Sequence, residues 1–125
     1  MPVLYAQFSG QQQFLGSAPI PGLSLTIPEG VQEEALVILN VPASYAVIAN
    51  FTSGRGGRFN ISLDGTILPA YAEYDYVNSM SAQNMPVRMP VTLVVGLPLT
   101  LKPQKIVALA ANCIIDSTAS LSVVL

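Results

Sequence analysis

The sequence has no histidine, no tryptophan, a single cysteine and few charges: five Lys and Arg and seven Asp and Glu, 10% of 125 residues, against roughly 25% in an average soluble domain. Each shortage excludes something. Without histidine there is no Ser-His-Asp or Cys-His nucleophile and no imidazole metal site. A formal charge of −2 gives no surplus of cations to neutralise phosphates, which excludes an ordinary nucleic-acid binder. One cysteine cannot form an internal disulfide. Cys113 lies in an apolar run with no base to activate it, so it reads as a small buried hydrophobe rather than a nucleophile. The longest apolar stretches, Val91 to Leu101 and Ile106 to Ile115, fall short of the roughly 20 residues of a membrane-spanning helix. The first residues, MPVLYAQFSGQQQ, lack the basic head and apolar core of a classical signal peptide. Non-classical release, surface display and a cytoplasmic pool all stay open. Disorder is excluded by a hydrophobic content of 51%.

What is present has a period of two. Leu23, Leu25 and Ile27 alternate with Ser24 and Thr26. Phe59, Ile61 and Leu63 alternate with Arg58, Asn60 and Ser62, and Ala119, Leu121, Val123 and Leu125 with Ser120 and Ser122. These patterns predict half-buried strands. Three further runs are apolar on both faces: Ala35 to Val41, Val91 to Val95, and Ile106 to Ala111. Turn chemistry separates the runs: Pro21-Gly22, Pro28-Glu29-Gly30, the hairpin pair Asp64-Gly65, and Pro103. The ten prolines sit at run edges, where a missing amide donor is tolerated. Ser53 to Gly57 reads as a loop.

About ten short strands and no amphipathic helix predict an all-β protein, one domain over residues 1–125, built as an antiparallel jelly-roll β-sandwich. A two-sheet sandwich covers one face of each sheet. Strands apolar on both faces therefore need a second cover, and packing of several copies around a symmetry axis supplies it.

Chemical constellations are sparse. Glu33-Glu34 reads as a solvated edge. Glu73 and Asp75 share one face of a predicted strand, with Tyr74 and Tyr76 on the other; paired carboxylates also serve glycoside hydrolysis, but on strands they are common surface features. Asp64, Asp75 and Asp116 lack the spacing of a calcium loop, and the glycines around Arg55 are not followed by the Lys-Ser/Thr and helix of a phosphate loop. Asn50-Phe51-Thr52 and Asn60-Ile61-Ser62 match the glycosylation sequon. Binding-type side chains remain. Tyrosines (Tyr45, Tyr71, Tyr74, Tyr76) offer an apolar face with a hydroxyl, which suits a sugar ring. Arg88 stands alone in Pro86-Val87-Arg88-Met89-Pro90. It is either half of an ion pair across an interface or a fork for ligand oxygens.

A resemblance runs through most of the chain. Met1-Pro2-Val3-Leu4 with Ala6, Ile20-Pro21-Gly22-Leu23 with Leu25, Val37-Ile38-Leu39-Asn40-Val41-Pro42 with Tyr45-Ala46, Arg88-Met89-Pro90 with Thr92-Leu93-Val94, and Ile115-Asp116-Ser117 with Ala119-Ser120-Leu121-Ser122 follow the order and approximate spacing of a TNF-like lectin domain. That domain forms the N-terminal, fucose-binding half of a Burkholderia superlectin. The resemblance implies a jelly roll of the TNF/C1q type, a homotrimer, and non-catalytic binding of a fucose-like or related sugar unit in clefts between protomers, with no cofactor and no metal. Its partners would be glycans on cell surfaces or glycoconjugates. Tyr45 and Arg88 match sugar-facing positions, and Tyr76 matches another, with Asp75 in place of a neighbouring Thr. Arg58 stands where the family has a cleft Tyr. The chain also departs from the family: Met85-Pro86 replaces a Ser-Thr pair, and a second cleft Arg has no counterpart in Ala110-Ala111-Asn112-Cys113-Ile114. The resemblance thus gives Tyr45, Arg58, Asp75, Tyr76 and Arg88 as the carbohydrate site. The other reading is a structural trimerisation knob of a fibre or surface protein, in which the same fold binds no sugar.

Overall fold

The computed structural model describes residues 3–14, 16–29, 34–45, 57–74, 89–98, 100–116 and 118–125. They form ten strands: β1 (Val3–Phe8), β2 (Gln12–Phe14), β3 (Ala18–Ile27), β4 (Glu34–Tyr45), β5 (Gly57–Leu63), β6 (Thr66–Tyr74), β7 (Met89–Pro98), β8 (Gln104–Ala111), β9 (Cys113–Ile115) and β10 (Ala119–Val124). Among the described residues there is no helix, and so none long and apolar enough to cross a membrane.

The strands make two sheets in which every pairing is antiparallel. The first runs β1-β10-β4-β9-β2, with β7 also on β4; the second runs β3-β8-β5-β6. The all-β architecture read from the period of two is what the structure has, and the two sheets are consistent with a sandwich. Its core draws on both: Val37, Leu39, Val41, Leu121 and Val123 from the first, Leu23, Ile27, Phe59, Ile61 and Ile106 from the second, all without solvent exposure. Their alternation fixes the register, because a one-residue slip would turn every one of them to the opposite face.

The runs that are apolar on both faces divide into two kinds. On β8, Leu109 points away from the core yet is only 9% exposed, flanked in register by Pro19 of β3 and Asn60 of β5. A strand central in its sheet thus finds cover within the chain, and β8 does not need the second subunit expected for it. On β4 and β7 outward apolar residues stay open to solvent. Leu36 and Val94 are 41% and 51% exposed, in two rows across four strands: Val3, Val124, Leu36 and Gly96, then Tyr5, Ser122, Ile38 and Val94. One position of β5 departs from strict alternation. Ser62, expected on the solvent face, is buried, and Leu63 is half-buried. Ser62 is flanked in register by Val107 and Ile67, so its small hydroxyl lies between two apolar neighbours.

Irregularities in the ladders shape the ends of the sheets. Asp64-Gly65 closes β5 and β6 with φ of +50° and +88°, the left-handed pair that a two-residue hairpin requires. The Asp64 amide donates to the Lys105 carbonyl at 2.8 Å and the Lys105 amide donates to Asp64 Oδ1 at 2.9 Å, which clamps the turn to β8. Between Asn60↔Tyr71 and Ser62↔Ile67 the register shifts: β6 spends two more residues than β5, and the surplus falls at Leu68-Pro69-Ala70. Proline belongs at such a bulge because it has no ladder donor to give. A shift on β4 between Val41 and Ser44 contains Pro42, and beyond it β4 also pairs with β9. On β3 the shift between Pro19 and Ser24 holds Gly22, at φ +78°, whose Cβ would stand 3.4 Å from the Gln7 carbonyl. Asn112, at φ +57°, separates β8 of the second sheet from β9 of the first. Asparagine is among the few residues that take this conformation readily, and it lets the chain change sheets within one residue.

Candidate functional site

The second sheet carries the most chemically distinctive contact among the described residues. Arg58, near the start of β5, faces outward because Phe59 and Gly57 on either side face in. Its register partners are Ala111 on β8 and Glu73 on β6. Yet the guanidinium lies over the Tyr71 ring, 3.8 Å from its centroid, well within the range of a cation–π contact. Tyr71 shares a face with Glu73 by the two-residue period and pairs directly with Asn60. The guanidinium carries five N–H donors, and the ring beneath it offers them no oxygen acceptor.

Beside the pair is a cleft of about 450 Å³ lined by Ser17, Arg58, Asn60, Ile67, Leu68, Pro69 and Ala111. The volume falls in the range of small-molecule sites. The bulge of β6 builds one wall, because its surplus residues put Leu68 and Pro69 beside Asn60. The lining is mixed: apolar surface from Ile67, Leu68, Pro69 and Ala111, one hydroxyl, one amide and one guanidinium. Such a set can pack against the C–H face of a ring and hydrogen-bond its oxygens; it has no acid–base pair.

Two of the five site residues expected from sequence fall within the described part. Arg58 lines the cleft. Tyr45, half-buried at the end of β4, pairs with Ile114 of β9 and is not part of the cleft lining. Both stand at the same end of the sheets, since Ile114 follows Ala111, the partner of Arg58, by three residues. Asp75, Tyr76 and Arg88 lie outside the described residues, as do Met85-Pro86 and the loop from Ser53 to Gly56. Glu73 is exposed on the Arg58 face. The sequon residue Asn60 is half-buried in the middle of β5. Cys113 is fully buried, and burial pushes its thiol up to about 12; such a thiol is inert as a nucleophile. Among the described residues no group of three or more Cys, Asp or Glu comes together to hold a metal.

Sequence reasoning grouped Tyr71 with the other tyrosines without pairing it to Arg58, and it missed Asn60 and Pro69 as lining. Parity placed Tyr71 with Glu73, but nothing local says which residue of β5 stands opposite.

No curated protein matches the chain. The profile of the family described as Bc2l-C, N-terminal domain matches residues 5–124, nearly the whole sequence. With its all-β fold of two antiparallel sheets and a mixed, ring-sized cleft, the chain belongs to the Bc2l-C N-terminal domain family, a family of lectin-type carbohydrate-binding domains.

Proposed function

We propose that the protein is a non-catalytic lectin, a single jelly-roll domain of the TNF/C1q type that assembles as a homotrimer and holds a fucose-like or related sugar unit in clefts between protomers. The observation that carries this reading is the family match over residues 5–124. Tyr45 and Tyr76 act as platforms for the apolar face of the sugar. Arg58 and Arg88 are forks for its oxygens, and Asp75 accepts from its hydroxyls. Tyrosine suits the first task because it offers a flat ring at little cost in side-chain entropy. Three modest sites on one rigid assembly gain avidity on a glycan-coated surface.

Self-association is supported by the outward face of the first sheet. Its two upper rows present Val3, Tyr5, Leu36, Ile38, Val94 and Val124, with the Glu34 carboxylate lying over Gly96 at their edge. A contiguous apolar surface of this kind marks an interaction site.

Two measurements test the reading. Light scattering of the purified protein gives three protomers; a monomer at micromolar concentration removes the clefts between subunits. A glycan array followed by calorimetry gives carbohydrate binding that Arg88→Ala and Tyr45→Ala weaken. A stable trimer that binds no glycan would overturn the lectin and leave the structural knob.

A further inference from the structure

We infer that the Arg58–Tyr71 cleft accepts a carboxylate-bearing sugar, a uronic acid or related acidic unit, in preference to a neutral one. The inference rests on the lectin reading and specifies the ligand class at this one cleft.

The argument starts from the charge. Among the described residues that line the cleft only Arg58 is ionised. Among the described residues the acid opposite it in register is Glu73, which is exposed. The guanidinium is turned over Tyr71 instead, and Glu73 is not part of the lining. A neutral sugar offers the exposed Arg58 donors only uncharged oxygens, so its hydrogen bonds leave the positive charge of the cleft unbalanced. A carboxylate entering the same space neutralises it.

Geometry favours the same ligand. The contact sets the Arg58 guanidinium over the Tyr71 ring, which supplies no oxygen to its N–H donors. Two parallel N–H groups match the two oxygens of a carboxylate, and such charge-assisted pairs are about twice as strong as neutral hydrogen bonds. The rest of the lining suits the sugar attached to that acid. Ser17 and Asn60 offer a hydroxyl and an amide to ring hydroxyls, while Ile67, Leu68 and Pro69 present apolar surface to ring carbons. Ile67 is 53% exposed, so its apolar surface is open to a ring at the cleft.

The test uses two matched pairs of probes, galacturonic acid against galactose and glucuronic acid against glucose, which differ only in a carboxylate at C6. In ligand-observed NMR titrations the intact protein binds at least one acid tenfold or more tightly than its neutral partner, and added sodium chloride narrows the difference. Arg58→Gln brings the two affinities within about twofold, and Arg58→Lys, which keeps the charge but loses the fork, falls between. Tyr71→Phe keeps the preference and Tyr71→Ala reduces it. If the neutral sugars bind as well as the acids or better, or if Arg58→Gln keeps the preference, the acidic-ligand proposal is wrong while the lectin stands. If neither these sugars nor any array glycan binds, both fall.

Discussion

The outward faces of the two sheets are built from the same kind of strand and have opposite characters. That of the first sheet is graded. At one end stand Val3, Val124, Leu36, Tyr5, Ile38 and Val94; at the other, Gln7, Ser120, Asn40 and Thr92 fill the next row. The polar end is knitted by weak side-chain hydrogen bonds: Thr92 Oγ1 donates to Asn40 Oδ1 at 3.3 Å, Gln7 Nε2 donates to Ser9 Oγ at 3.4 Å, and Ser9 meets Thr118 at 3.3 Å. The first three rows run without a register shift across β1, β10, β4 and β7. The second face is broken by bulges on β3 and β6 and carries a stacked Arg–Tyr pair beside a cleft. An unbroken ladder makes a continuous surface that a large partner can cover. A bulged ladder makes a concavity that suits a small one.

This contrast is open to attack from either side, and the largest effect is expected on the first sheet. Ile38→Glu puts a carboxylate in the middle of the apolar rows, between Ser122 and Val94 in register. The expected outcome is loss of assembly by light scattering with the fold retained by circular dichroism; an unchanged oligomer means that this face is not the interface. Next in size is Phe59→Ala, beneath the Arg58 cleft on the core side of β5. Phe59 is fully buried and is the largest such side chain among the described residues, so denaturant unfolding should show a loss of about 3–5 kcal/mol. Asn112→Ala forces a Cβ-bearing residue without a local hydrogen-bonding side chain into φ +57° and should cost about 1 kcal/mol, whereas Asn112→Gly is expected to be close to neutral.

The Cys113 thiol yields a pH effect. Its folded-state value near 12 lies above the ordinary thiol value of 9.0, because burial disfavours the thiolate. The stabilisation that follows is complete below pH 9 and is lost as pH rises from there towards 12, since only the unfolded chain releases the proton easily. Wild type should therefore lose more melting temperature than Cys113→Ala between pH 8 and pH 10.5. Equal losses would mean that the thiol is solvated. The smallest effect on stability is expected from Arg58→Gln. Arg58 is exposed, so unfolding should change by less than about 0.5 kcal/mol, while the preference of the cleft for an acidic sugar is lost. A large destabilisation would make the Arg58–Tyr71 stack a structural feature and not a binding one.

Much of this was legible in the sequence for local reasons. The two-residue periods of Leu23 to Ile27, Phe59 to Leu63 and Ala119 to Leu125 found strands with the right face inward, because side-chain direction along a strand depends only on parity. Asp64-Gly65 marked its hairpin because φ is a property of single residues. Arg58 was named as a candidate site residue through resemblance, but the Tyr71 ring beneath it was not paired with it. The pair depends on Asn60 standing opposite Tyr71 while Ser62 stands opposite Ile67, and no local rule gives that register. Ser62 and Leu109 departed from simple parity for the same reason: what covers an outward position comes from neighbouring strands.

The sequence by itself determined that this chain is built of strands, that it is poor in charges and rich in apolar residues, and that histidine-dependent chemistry is beyond it. Those facts follow from composition and from short-range geometry. Only the tertiary structure decided which apolar run the chain covers for itself and which it leaves open, and that a guanidinium would rest on a tyrosine ring at the mouth of a cleft. Both depend on which strands become neighbours and where their ladders slip, and residues far apart in sequence set that together.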